Sequence, residues 1–154
     1  MRAILIAAAA SLALAGCYQK VETSDGKTIV TTAGVKSTIE TGAKAQAALA
    51  ALPAYAPAYP GATVVATTQT AVRDTQANAL TLTTGDTPEQ VIAFYKGKLE
   101  GAGMGHVSDI NLGLGRMLVA ENAASGRSVQ IMAMKAGEGQ TRIQITQSTV
   151  KPKG

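Results

Sequence analysis

The stretch Thr87-Pro88-Glu89-Gln90 most constrains what this chain can fold into, because it opens the clearest helical stripe past residue 60. Threonine can cap a helix, proline at the first helical position lacks an N–H that would be unpaired anyway, and Gln90 can reach back three residues to close a capping box. Val91, Ile92, Tyr95 and Leu99 then share one helical face, with Glu89, Lys96 and Glu100 away from it, and Gly101 and Gly103 stop the helix. A helix with one apolar stripe needs a sheet or another helix to cover it.

The segments around it carry strand patterning. Residues 63–72 place Val64, Ala66, Thr68, Thr70 and Val72 on one face, and residues 79–84 bring Leu80 and Leu82 together, with a turn expected around 74–78. Further strands are predicted over 104–110, 116–122, 127–135 and 141–148, joined by turn chemistry at 111–115, 123–126 and 137–139. Val129, Ile131 and Ala133 alternate with Gln130, as Ile143 and Ile145 do with Arg142 and Gln144. The predicted class is α+β, an antiparallel sheet of about five to six strands with one principal helix packed on one face. That domain spans 61–148, and 149–154 reads as a frayed basic tail.

Upstream, Asp25-Gly26 between two β-branched segments within 20–32 is a hairpin signal. Residues 37–52 are Ala-rich and favour a helix ending before Pro53. Pro53, Pro57 and Pro60, interleaved with alanine and tyrosine, predict an extended flexible spacer, with the domain boundary here. Residues 17–60 are thus expected to form an Ala/Pro-rich tether with a hairpin and a helix. A second use of the spacer is as a ligand for a proline-recognising partner, with Tyr55 and Tyr59 as anchors.

At the start of the chain, Met1-Arg2 precedes an uncharged run from Ala3 to Leu14, followed by Ala15, Gly16 and Cys17. A dozen apolar residues fall short of the roughly 20 that cross a bilayer, so residues 1–16 read as a removable signal peptide. Leu14-Ala15-Gly16-Cys17 resembles the lipobox of bacterial lipoproteins at every position. The resemblance implies cleavage after Gly16, a diacylglyceryl group on the Cys17 sulfur and acylation of its amine. Several acyl chains together hold stably, at about 0.8 kcal/mol per buried CH₂. Tyr18 stands where inner-membrane lipoproteins often carry Asp, which by resemblance implies a lipid anchor in the outer membrane, facing the periplasm.

With its sole cysteine committed to lipid, the mature chain would form no internal disulfide, and folding rests on apolar burial. Of the formal +4, Arg2 supplies one, leaving +3 for residues 17–154. The cations are scattered without a dense run, and aromatic content is 3% without tryptophan, which argues against a nucleic-acid surface.

Residues able to carry chemistry are few. His106 is the only histidine, so a metal site would lean on scattered carboxylates, and no metal or cofactor is implied. His106, Ser108 and Asp109 are close in sequence, but neighbours along a strand point to opposite faces, which works against a triad. The runs 101–105 and 113–115 are glycine-rich, yet they follow a helix or join strands, so they read as turns and not phosphate cradles. Asp86 and Glu89 suit the positive end of a helix, and Glu121 and Glu138 read as solvated. Met132 and Met134 share one strand face, with packing under the helix favoured over a soft binding surface.

The order strand, strand, helix opening Asp86-Thr87-Pro88-Glu89, then Phe94-Tyr95 and Leu99 before a glycine-rich turn, resembles small domains of uncharacterised bacterial envelope proteins. Where those modules often carry Gly-Trp, this chain has Gly105-His106, and no activity comes with the likeness. The functional expectation is a non-enzymatic lipoprotein that presents a small periplasmic binding or envelope-organising domain. The alternatives are a hydrolase or transferase acting on envelope material, or an accessory subunit of an envelope assembly.

Overall fold

The computed structural model describes residues 19–32, 35–72, 74–137 and 139–150. In chain order the elements are β1 (Gln19–Ser24), β2 (Lys27–Thr32), β3 (Val35–Thr41), α1 (Ala43–Ala47), a 3-10 turn (Ala48–Ala51), β4 (Thr63–Val72), β5 (Thr75–Thr84), α2 (Pro88–Gly101), β6 (Gly105–Asn111), β7 (Gly115–Asn122), β8 (Arg127–Lys135) and β9 (Thr141–Val150). The fold is α+β, with an antiparallel sheet and helices packed on it. The sheet has nine strands in the order β1-β2-β3-β4-β5-β9-β8-β7-β6, and every neighbouring pair is antiparallel.

The expected five to six strands and single helix are therefore corrected in number. Residues 19–41 account for three of the additional strands: Asp25 and Gly26, at φ 45 and 72, make the tight turn of the β1–β2 hairpin, and β3 joins that hairpin to β4. Two strands alone would be marginal in water, but pairing with a larger sheet supplies the missing support. The helix expected over 37–52 survives only as α1 and the 3-10 turn. Residues 37–41 are drawn into β3 by pairing with β4, and Gly42 at φ 62 separates strand from helix. Propensity loses here to tertiary pairing.

The predicted α2 forms as read. Gln90 N–H donates to Thr87 Oγ1 at 3.4 Å and Thr87 N–H to Gln90 Oε1 at 2.9 Å, closing the capping box. Val91, Ile92, Tyr95 and Leu99 are all buried and pack on β6, β7 and β8. Gly103, at φ 69, lets the chain reverse, with Met104 N–H donating to Leu99 O at 3.1 Å. The covered face of the sheet supplies Leu80, Leu82, Leu118, Val129, Ile131, Ile143 and Ile145.

The spacer reading of 53–61 is overturned. This segment is a strap laid on the same face of the sheet as α2: Ala56 is fully buried and Tyr59 is 8% exposed. Tyr95 Oη donates to Pro57 O at 2.9 Å, and Gln147 Nε2 donates to Ala56 O at 3.2 Å. Prolines keep the strap out of the ladder, as expected, yet its carbonyls find side-chain donors and its small residues fit the core. The boundary placed at residue 60 is crossed by the β3–β4 pairing.

Two finer expectations also change. A β-bulge between Val64 and Ala66 switches the alternation, so Val64 and Thr67, opposite Leu82 and Leu80, face the core while Ala66, Thr68 and Thr70 face away. The β4–β5 turn is tighter than 74–78, since β5 starts at Thr75, and residues 149–150 extend β9 instead of fraying. Residues 151–154 lie outside the described residues.

Two glycines test the packing in opposite directions. A Cβ at Gly115 would drive into the backbone of Ala133 and stand 2.9 Å from Met134 Cα, so Gly115→Ala is expected to lose about 2 kcal/mol in chemical denaturation. A Cβ at Gly97, mid-α2, meets nothing within 4 Å, and Gly97→Ala is expected to gain about 0.5–1 kcal/mol in the same measurement.

Candidate functional site

Where the strap leaves the 3-10 turn it roofs a cleft of about 70 Å³ on the covered face, lined by residues that include Leu52, Thr67, Gln69, Asn78, Leu80 and Gln147. The space holds a few waters or one small group, not a drug-sized molecule. Its lining side chains carry no charge. Thr67 is 7% exposed, and its Oγ1 has no hydrogen-bond partner among the described residues. The bulge at Val65 puts it there, by rotating a threonine into a core position opposite Leu80.

At the other end of the strap, Tyr59 Oη donates to Asp86 Oδ2 at 2.7 Å, and its ring meets Phe94 edge-on at 5.2 Å. Phe94 and Tyr95 are also edge-to-face, at 5.0 Å. Burial first, and then the bond to Asp86, push the Tyr59 phenol up to about 12. Burial also raises Tyr95, with the nearby Tyr59 adding to the effect. Both phenols are thus neutral structural donors at ordinary pH, and Tyr59 is no free anchor for a partner. Tyr55 is half-buried, with the Arg127 guanidinium 6.0 Å from its ring centroid.

Cys17, Gly16 and Tyr18 lie outside the described residues, as does Glu138. His106 falls in β6, but its side chain is likewise outside them. Ser108 pairs with Val119 and Asp109 with Leu118, so the two side chains leave opposite faces of the sheet. Asp109 is engaged by Arg116, with Nε donating to Oδ1 at 3.2 Å and Nη2 to Oδ2 at 2.5 Å. The glycine-rich runs are turns: Gly113 sits at φ 79 in the β6–β7 connection, and Leu112 N–H donates to Gly115 O at 2.9 Å. Glu89 lies in the first turn of α2, and Glu121 is exposed. Among the described residues, no three His, Cys, Asp or Glu side chains gather as a metal site would require.

The expectation that Met132 and Met134 pack under the helix is corrected. β8 turns Val129, Ile131 and Ala133 to the core, so both methionines stand on the opposite face, Met134 at 38% exposed. Met117 pairs with Met132, and Ile110 pairs with Met117, extending the patch across three strands. The β6–β7 tip adds Leu112 and Leu114, the latter 71% exposed. Sequence reasoning missed this tip by counting residues 111–115 only as turn chemistry. Two leucines in a glycine turn were the available signal, since turns are ordinarily polar.

No family model, no curated protein and no solved structure matches this chain.

Two measurements test the site. A tyrosine ionising near pH 12 is expected in spectrophotometric titration and should be lost in Tyr59→Phe. Because the folded phenol has the higher pKa, its contribution to stability is intact below pH 10 and is lost as pH rises toward 12, so the wild type should lose stability across that window more steeply than the variant. Thr67→Val removes an unpaired buried hydroxyl with little change of shape and is expected to raise stability by about 1 kcal/mol in urea unfolding.

Proposed function

We propose that the chain is a bacterial lipoprotein, anchored through lipid on Cys17 after cleavage behind Gly16, whose folded domain acts as a non-catalytic binding or envelope-organising module at the membrane. The observation that carries this reading is the start of β1 at Gln19, two residues beyond the lipobox cysteine. A sheet edge that follows the attachment point so closely is presented by the bilayer itself and not at the end of a long leash. Among the described residues no helix is long and apolar enough to cross a membrane, so a covalent lipid would supply the attachment.

Binding is favoured by the sheet's one-sided cover. The helices and the strap occupy one face, while the other offers Ile110, Met117, Met132 and Met134 beside a field of threonine, serine and glutamine. Methionine adapts its shape to different apolar partners, which suits a contact surface. Envelope hydrolysis or group transfer would call for convergent nucleophile, base and orienting groups, whereas Ser108 and Asp109 diverge. An accessory role in an assembly would use this open face or a sheet edge, because the 53–61 segment is engaged in the core.

Growth with a labelled fatty acid should mark the wild-type protein and leave it in the membrane fraction. Cys17→Ser should remove the label and leave the uncleaved precursor; a Cys17→Ser protein that is still labelled refutes lipidation at this residue.

A further inference from the structure

The path of the chain beyond residue 17 decides which part of the domain a lipid there would hold against a bilayer. No more than about 7 Å of extended backbone separates the Cα of Cys17 from that of Gln19, the first residue of β1. Strand pairing carries that level across the sheet. Gln19 lies opposite Thr32, Thr32 opposite Val35, Lys36 opposite Ala71, Val72 opposite Thr75, and Thr75 opposite Val150. One end of six spatially consecutive strands therefore lines up with the attachment point, at a spacing of about 4.8 Å per strand.

That end exposes side chains on both faces of the sheet. Val72 and Val150, both on the open face, are 39% and 49% exposed. Lys20 and Lys36 are exposed on the opposite face of the sheet, where Glu22 pairs with Lys20 at 2.7 Å, and the sequence past Val150 reads Lys151-Pro152-Lys153. Asp74, in the β4–β5 turn, is a second acid at this end, so Glu22 and Asp74 balance the two lysines among the described residues. At the far end of the same strands stand Asp25, Glu40 and Asp86 together with Lys27, Lys44 and Arg142, with Lys27 paired to Glu40. Exposed valines suit the apolar side of a bilayer interface, and a lysine at the same level can reach its headgroups.

We propose that the Gln19 end of the sheet, marked by Val72, Val150 and Lys36, is the domain's membrane-facing surface, seated on the phospholipid headgroups. The inference rests on the lipid anchor at Cys17 and adds the orientation of the domain to it. The strands then stand upright from the bilayer, with the apolar β6–β7 tip directed away from it.

The test uses the full-length lipidated protein reconstituted in vesicles of phosphatidylethanolamine and phosphatidylglycerol. Lipid occupies the sole native thiol, so single cysteines at Val72, Val150 and Leu114 can each carry an environment-sensitive fluorophore. The expected result is a blue shift and quenching by headgroup-spin-labelled lipid at positions 72 and 150, with neither at 114. Quenching at 114 with none at 72 and 150 overturns the orientation while leaving the anchor intact. Equal quenching at 72, 150 and 114 overturns a fixed orientation. Protein that fails to float with the vesicles overturns the anchor itself, a result separable from the other two.

Discussion

Burial of one face of the sheet is the constraint on which the rest of the structure depends. Leu82, Ile131, Ile143 and Ile145 are fully covered from above by α2 and the strap, and the strap is held by two side-chain donors, Tyr95 to Pro57 O and Gln147 to Ala56 O. A proline-rich segment cannot satisfy its carbonyls in a ladder, so it lies over a core only where side chains reach up to it. Those two bonds convert a stretch with spacer composition into a structural layer. Tyr59 then extends the aromatic cluster to Phe94 and Tyr95 and reaches Asp86 just ahead of the helix.

The same economy leaves the other face bare. Nine strands present more surface than one 14-residue helix, a short α1 and a strap can cover twice. The bare face is therefore built largely of threonine, serine and glutamine, which tolerate water, with ladders such as Ser37 to Thr70 at 3.0 Å and Ser128 to Ser148 at 2.6 Å. Against that polar background the methionines and the leucine tip are the exceptions, and an apolar exception on a polar face is where a partner gains most from contact. Under the proposed lipid anchor such a domain would work by position, with one end toward the bilayer and the uncovered sheet open to whatever approaches alongside.

The elements read well from local pattern were those whose signals were local. Thr87-Pro88-Glu89-Gln90, the stripe Val91-Ile92-Tyr95-Leu99, the Asp25-Gly26 turn and the alternation in β8 and β9 each concern residues within a few positions of one another, and each formed. The failures were also physical in origin. Residues 37–41 have helix-compatible neighbours, but β4 offered them ladder hydrogen bonds. The bulge at Val65 cannot be seen in an alternation that looks regular, yet it moves Thr67 into the core and defines the cleft. Met132 and Met134 alternate just as core residues do, and only the side of the sheet on which α2 lies decides that they face out.

By itself the sequence determined the chain's local grammar: a capped helix, tight turns, period-two strands, and a lipobox-like start that needs no folded context to be recognised. Those features are encoded by residues adjacent along the chain, where backbone dihedrals, capping and side-chain periodicity act. Tertiary structure alone decided that residues 19–32 and 35–41 belong to the sheet, that the proline segment is core, and which face stays open. Each of these depends on pairings or contacts between residues far apart in sequence, such as Thr38 with Gln69 or Gln147 with Ala56, whose free energy exists only once the chain has closed on itself.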